Sequence, residues 1–152
     1  YYDFRRVTGV RNAFDSSLAD STAPRFLQRS NTLYDIRNDT DPATHLFALA
    51  GEYRVAGATL LYELQPSGGR ALTLLADYVR NVGFDADEVR RRIGVAVPER
   101  VEGYGVELGF GNRPVAGPGQ WRVWGGYRYL ERDAMLDAFV DSDFRGGGTD
   151  VK

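Results

Sequence analysis

The sequence predicts an all-β chain, a partial antiparallel up-and-down transmembrane β-barrel of about five to six strands with long outer loops and short inner turns. Three observations carry this expectation. First, in "VEGYGVELGFGN", residues 101–112, Tyr104, Val106, Leu108 and Phe110 alternate with Gly103, Gly105, Glu107, Gly109 and Gly111. A period of two places these sets on opposite sides of a strand. Second, the connections run long, short, long, short, long, the rhythm of barrels with short periplasmic turns and long external loops. Third, aromatic residues fall near strand ends with smaller aliphatics between them, as the two interfaces of a bilayer favour. A soluble sheet turns its apolar face to a packed core, whereas a membrane barrel turns it to lipid and its polar face to the lumen.

The elements follow in chain order. Residues 1–8, "YYDFRRVT", read as the end of a strand, and 9–44 as a long polar connection whose "NDTDPATH" is turn chemistry. So long a connection is uncommon in a soluble domain unless it has a function. Residues 45–64 read as a strand, with Phe47, Leu49, Tyr53 and Val55 on one face and Glu52 and Arg54 on the other. Past Ala56–Gly57 the apolar parity moves to Leu60, Tyr62 and Leu64, which a bulge at Gly57 explains and a tight turn there explains as well. "QPSGG", 65–69, is a short turn, and 70–82 the next strand, with Leu72, Leu74, Ala76 and Tyr78 opposite Thr73, Asp77 and Asn81. Leu75 and Val79 interrupt that polar face. The loop 83–100 contains "DADEVRRRIG", acidic at its start and basic at its end, which predicts a turn or two of helix. After strand 101–112 and the turn "RPVAGPG", strand 120–131 sets Trp121, Val123, Tyr127 and Tyr129 against Arg122, Trp124, Gly126 and Arg128. Residues 132–150 form another loop.

Alternating loop lengths give each strand a direction, and directions give heights. Tyr78, Tyr104, Tyr127, Tyr129 and Phe47 are expected at outer ends, and Tyr62, Phe110 and Trp121 at inner ends, all at the lipid interface. The opposite face, carrying Glu52, Arg54, Glu63, Asp77, Glu107, Arg122 and Arg128 among glycines, is expected to line a lumen. Glycine weakens an isolated strand but leaves room beside bulky lumen groups or an inward-folded loop.

Composition narrows the chemistry. Hydrophobic residues make up 43% and charged residues 26% of 152, a composition that supports a folded domain. A net charge of −2 makes no electrostatic case for nucleic acid. The sequence has no cysteine, which removes disulfides, thiolate zinc sites and a cysteine nucleophile, and suits passage through an oxidising compartment. With His45 the single histidine, a catalytic triad depends on one turn residue, and no G-x-S-x-G is present. Glu107 and Asp77 make a weak glycosidase pair, and "GYGVELGFG" precedes no helix, so it is no nucleotide loop. The reading is therefore no enzyme, no cofactor and no metal. Asp133, Asp137, Asp141, Asp143 and Asp150 form an acidic loop whose spacing matches no EF-hand. "RRVTGVR" and "VRRRIG" are basic clusters that fit lipopolysaccharide phosphates, with plain surface charge the blander reading.

The runs "YYDFRRVTGVRNAF", "PRFLQRSNTLYDIRNDTD", "ADYVRNVGFD", "PERVEGYGVEL" and above all "WRVWGGYRYLERDAMLDAFVDSDFRGGGTD" resemble, in the same order and over nearly the whole length, the bacterial "putative porin" family of Gram-negative outer membranes. The resemblance implies an outer-membrane β-barrel, of which residues 1–152 supply a C-terminal portion of a single barrel domain. It carries no catalytic motif. The first expectation is a porin-like channel for passive diffusion of small solutes, in contact with outer-membrane lipid and lipopolysaccharide; a homo-oligomer is compatible with it. The alternatives are a plugged adhesion or scaffold barrel and a soluble β-sandwich or barrel binding module. The first residues, already strand-like and without Met, and the glycine-rich end lead to the expectation of a segment of a longer protein with further strands.

Overall fold

A computed structural model of the chain describes residues 1–5, 7–11, 31–37, 40–66, 68–140 and 149. Seven strands and one α-helix are found among them: β1 Tyr2–Phe4, β2 Leu33–Asp35, β3 Phe47–Leu49, β4 Tyr53–Leu64, β5 Arg70–Asn81, α1 Ala86–Ile93, β6 Glu102–Asn112 and β7 Arg122–Leu130. All strand pairs are antiparallel. Five strands form one sheet in the order β1-β4-β5-β6-β7, and β2 and β3 pair separately. The chain is thus mostly β, as the alternation predicts.

The four long strands are a meander in unbroken register. Pairing runs from Val55↔Asn81 to Leu64↔Leu72, from Arg70↔Asn112 to Arg80↔Glu102, and from Gly103↔Leu130 to Gly111↔Arg122. Because opposed residues share a face, these registers define two surfaces as rows across the sheet. One face has the rows Leu64–Leu72–Phe110–Val123, Tyr62–Leu74–Leu108–Gly125, Leu60–Ala76–Val106–Tyr127 and Ala58–Tyr78–Tyr104–Tyr129. The other has Glu63–Thr73–Gly109–Trp124, Leu61–Leu75–Glu107–Gly126, Thr59–Asp77–Gly105–Arg128 and Gly57–Val79–Gly103–Leu130.

Two expectations for the segment 45–64 are corrected. There is no bulge at Gly57, since Gly57 pairs with Val79 between Ala56↔Arg80 and Ala58↔Tyr78. The segment also is not one strand: β3 ends at Leu49, and Ala50–Glu52 turn the chain before β4 starts at Tyr53. What resembled a change of parity is a change of environment along a regular strand. Tyr53 and Val55 lie on the same face as Thr59 and Leu61, but they are buried under loops while Leu61 is open. The polar connection expected over 9–44 also contains β2 and a 3-10 turn at Pro42–Thr44, capped by the Asp41 carboxylate, which accepts from the Ala43 N–H at 2.9 Å.

The compact hydrophobic core lies around the β2–β3 pair and α1 and not on the five-stranded sheet. Tyr34, Ile36, Ala48, Ala50 and Val89 are buried together, with Leu46, Phe84, Ile93 and Val97 packed against them. Helix α1 enters this core through Val89 and Ile93, four residues apart on one face. It begins at Asp85, whose side chain accepts from the N–H groups of Asp87 and Glu88, and ends at Gly94, left-handed at φ 89°. The predicted helix is thus present, with both termination signals readable in the sequence.

Candidate functional site

The first of the two sheet faces carries no charge between its ends. Its side chains stay open: Leu60 and Leu108 keep 58% and 54% of their surface, and Val106, Val123 and Tyr127 are also exposed. The apolar rows are bounded by polar groups. Beyond Tyr78, Arg80 pairs with Glu102 at 3.1 Å, and the Tyr78 hydroxyl donates to Glu102 at 3.1 Å. At the other end Arg70 stands over the Trp121 ring at 5.5 Å, and Trp121 meets Phe110 edge-on at 5.8 Å. Near the first end Tyr104 packs against Tyr129 and Tyr127 at 5.4 and 6.2 Å. Aromatic rings thus gather at two heights.

The second face carries both signs of charge. Arg128 faces Glu107 at 3.7 Å, the Thr59 hydroxyl donates to Asp77 at 2.6 Å, and the Arg122 guanidinium donates to the Thr73 hydroxyl at 3.0 Å. Glu63 pairs with Arg113 at the tip of the β6–β7 turn, 2.5 Å. Glycines make this packing fit. A Cβ on Gly109 would run into Thr73 Oγ1 and Arg122 Nη2, and one on Gly126 into the Glu107 side chain. Gly105 stands between Asp77 and Arg128 in its row.

Of the seven residues expected to share this face, the registers bring five together: Glu63, Asp77, Glu107, Arg122 and Arg128. Arg54 is not among them. It lies on the opposite face with Ala56, Ala58 and Leu60, because the strand has no bulge to reverse it. Glu52 precedes β4 and accepts a hydrogen bond from the Thr8 hydroxyl at 3.1 Å. Of the expected aromatic set, Phe47 belongs to β3, outside the five-stranded sheet, with its ring edge-on to His45 at 6.0 Å. Tyr62, Tyr78, Tyr104, Phe110, Tyr127 and Tyr129 share the uncharged face, and Trp121 packs on Phe110 just before β7. The second face is less polar than its charges suggest: Leu61 and Trp124 stand on it 61% and 75% exposed.

Polar residues that composition did not single out bind the loops over one end of the second face. Asn81, at the end of β5, is buried and uses all four hydrogen-bonding positions of its amide. Its Oδ1 accepts from the N–H groups of Arg54 and Gly83, and its Nδ2 donates to the carbonyls of Glu52 and Asp133, each at 3.0 Å. The Asp133 carboxylate, also buried, accepts from the Tyr53 hydroxyl at 2.8 Å and from the N–H and hydroxyl of Thr32 at 2.8 and 2.5 Å. The Asn31 Nδ2 donates to the backbone carbonyls of Arg132 and Met135 at 2.7 and 2.8 Å, and its Oδ1 accepts from the Asp137 N–H at 3.0 Å. These bonds fold the segment after β7 inward. Met135, Phe139 and Val140 face Asp77, Val79 and Arg128 across a cavity of about 170 Å³, and the Phe139 ring meets Phe4 of β1 at 5.1 Å. The sequence shows Asn81 as a polar strand residue and Asp133 and Asp137 as acidic loop residues, but not their partners: Thr32 and Tyr53 lie 101 and 80 positions from Asp133 in the chain.

The same bonds occupy Asp133 and Asp137 with hydroxyl and N–H donors, and no group of three potential metal ligands occurs among the described residues. Asp141, Asp143 and Asp150 lie outside the described residues. The family model described as "Putative porin" matches residues 1–152. No curated relative and no solved structure matches the chain.

Proposed function

The chain belongs to the "Putative porin" family, and from that premise we propose that it forms part of the wall of an outer-membrane β-barrel through which small solutes diffuse passively. The uncharged face meets lipid, and the face with Glu63, Asp77, Glu107, Arg122 and Arg128 meets water. The observation that carries this reading is the height of the uncharged band. Arg70 and Arg80 mark its two ends on β5, ten positions apart on one face. That is about 33 Å of strand at roughly 3.3 Å per residue. At a barrel tilt of about 40° the height is about 25 Å, the thickness of the apolar band on outer-membrane barrels. The strands fit as well: β4 to β7 have 12, 12, 11 and 9 residues, against the roughly 9–11 that a tilted crossing needs.

A soluble reading has to cover this face with a second layer, since contiguous apolar patches of such extent are unusual on soluble monomers. The segment 132–140 instead lies over the opposite face. Five strands do not close a transmembrane barrel, for which about eight is the usual minimum; the remaining strands of the wall come from outside the described sheet. Selection in the lumen is steric and electrostatic: the segment 132–140 narrows one end, and the mixed charges act along the wall below it. Planar-bilayer recording of the full-length protein tests this. Discrete conductance steps are expected; a detergent-dependent barrel that never conducts favours the plugged scaffold, and a protein that stays monodisperse without detergent removes the membrane reading altogether.

A further inference from the structure

Arg11, the last residue of the first basic stretch, and Arg91 and Arg92 of the second meet at one open cavity at the loop end of the molecule. Its walls are Gly9, Val10, Arg11, Tyr34, Glu88, Arg91 and Arg92, and its volume is about 340 Å³. Arg91 and Arg92 are placed by α1: Val89 and Ile93 bury the inner side of the helix, which leaves Glu88, Arg91 and Arg92, one turn apart, toward the cavity. Arg11 arrives from the segment after β1, 81 positions away from Arg92.

The charges in this cavity are not balanced. Glu88 is the single carboxylate among the lining residues, and it is paired with Arg92, which also donates to the Ala50 carbonyl at 2.5 Å. Arg11 is fixed by partners that leave its charge intact: it donates to the Arg92 carbonyl at 2.6 Å and its guanidinium stands 5.8 Å from the centre of the Tyr34 ring. Neither Arg11 nor Arg91 has a carboxylate within ion-pair distance among the described residues, and both are exposed, although the Asp85 carboxylate at the start of α1 feels the charge of Arg91 and Arg92. Two guanidinium groups thus stand at one opening with a net positive charge of about +1 to +2, of the sign and scale that a phosphate monoester at −1.5 to −2 calls for. Arginine forks fit phosphate oxygens bidentately, and a positioned fork loses little entropy on binding.

We propose that this cavity is a binding site for a phosphate monoester, gripped by Arg11 and Arg91, with Arg92 adding field from the wall. The same chemistry is offered by free inorganic phosphate and by a phosphorylated lipid headgroup. The site is independent of whether the sheet encloses a conducting lumen. The test uses the full-length protein in a non-ionic detergent at low ionic strength, titrated calorimetrically with inorganic phosphate, and the protein in nanodiscs of phosphatidylcholine with or without phosphatidic acid. Single-site binding is expected in at least one arm, and the arm that shows it identifies the source. Arg11→Gln and Arg91→Gln should each weaken binding about tenfold, the scale of one charge-assisted hydrogen bond. Arg90→Gln removes an exposed charge from the same helix but not from the cavity, and should leave binding within about twofold, as a surface charge in high dielectric does. Absence of binding in both arms, or an equal loss in Arg90→Gln, overturns the proposal. Thermal melting of each variant separates lost binding from lost folding.

Discussion

Asp133 shows how this protein keeps a carboxylate out of water without an opposing cation among the described residues. Its two oxygens accept three hydrogen bonds, from Tyr53 and twice from Thr32. Tyr53 and Thr32 are themselves buried, so these donors have no solvent to turn to. Removing the acceptor is therefore costly. Asp133→Ala leaves two buried hydroxyls and one N–H unpaired, each worth about 1–3 kcal/mol. The expected loss is about 3 kcal/mol or more in the loop layer, read as faster hydrogen exchange at Thr32 and Ile36 while the β5 and β6 amides keep their protection. Asn81 repeats the principle with a neutral amide. One side chain saturates four backbone groups from three connections, so the ends of β4 and β5 and the loop after β7 are fixed at a common point.

At the scale of elements, helix α1 and the sheet respond to different conditions. The N–H of Glu88 is the main influence holding the Asp85 carboxyl below its ordinary value of 3.8. A depressed folded-state pKa means that the cap stabilises the helix fully above the unfolded value and loses this effect as pH falls through the folded one. Exchange of the α1 amides, corrected for intrinsic rates, should therefore accelerate below about pH 4, and Asp85→Asn should remove that acceleration. The sheet is decided by its medium. Leu108 and Leu61 have closely similar exposure, 54% and 61%, but lie on opposite faces. In water, arginine at either position is near neutral. In a bilayer, Leu108→Arg at mid-height of the band should cost about 2–4 kcal/mol, while lumen-side substitution costs little. Paired chemical denaturations in lipid read the difference, and equal stabilities for the two variants would reverse the orientation of the wall.

For the whole molecule, division of labour between sheet and loops is the organising feature. The described core belongs to the β2–β3 pair, α1 and the loops around them, and the long strands gain little burial from their own chain on the uncharged face. The stability of β4 to β7 is thereby tied to the medium they are placed in; in the proposed barrel, lipid would supply the apolar contacts that a second layer supplies in a sandwich. On the charged face, three carboxylates and two guanidinium groups lie within four rows. Glu107→Lys replaces one negative charge beside Arg128 by a positive one, and reversal-potential measurements under a salt gradient should move toward anion preference. An unchanged reversal potential in a conducting protein would place Glu107 off the permeation path.

The sequence by itself determined the strands β5 to β7 and their two faces, the outer part of β4 from Gly57 onward, and the helix in the third connection, because these rest on local periodicity: a side chain every second residue points the same way, and Asp85 and Gly94 end the helix wherever it is packed. It also held the glycines of the second face, though not the partners they admit. Only the tertiary structure decided where regular strand passes under a loop. Tyr53 and Val55 look like members of the apolar face because they are apolar, yet they are buried on the charged face by segments from elsewhere in the chain. Arg54 falls on the uncharged face because it alternates with the buried Tyr53 and Val55, while the surroundings of Glu52 and Phe47 come from Thr8 and β2, distant in sequence. The meeting of Arg11 with Arg91 and Arg92 is likewise tertiary, since composition records two basic runs and only folding brings them to one opening.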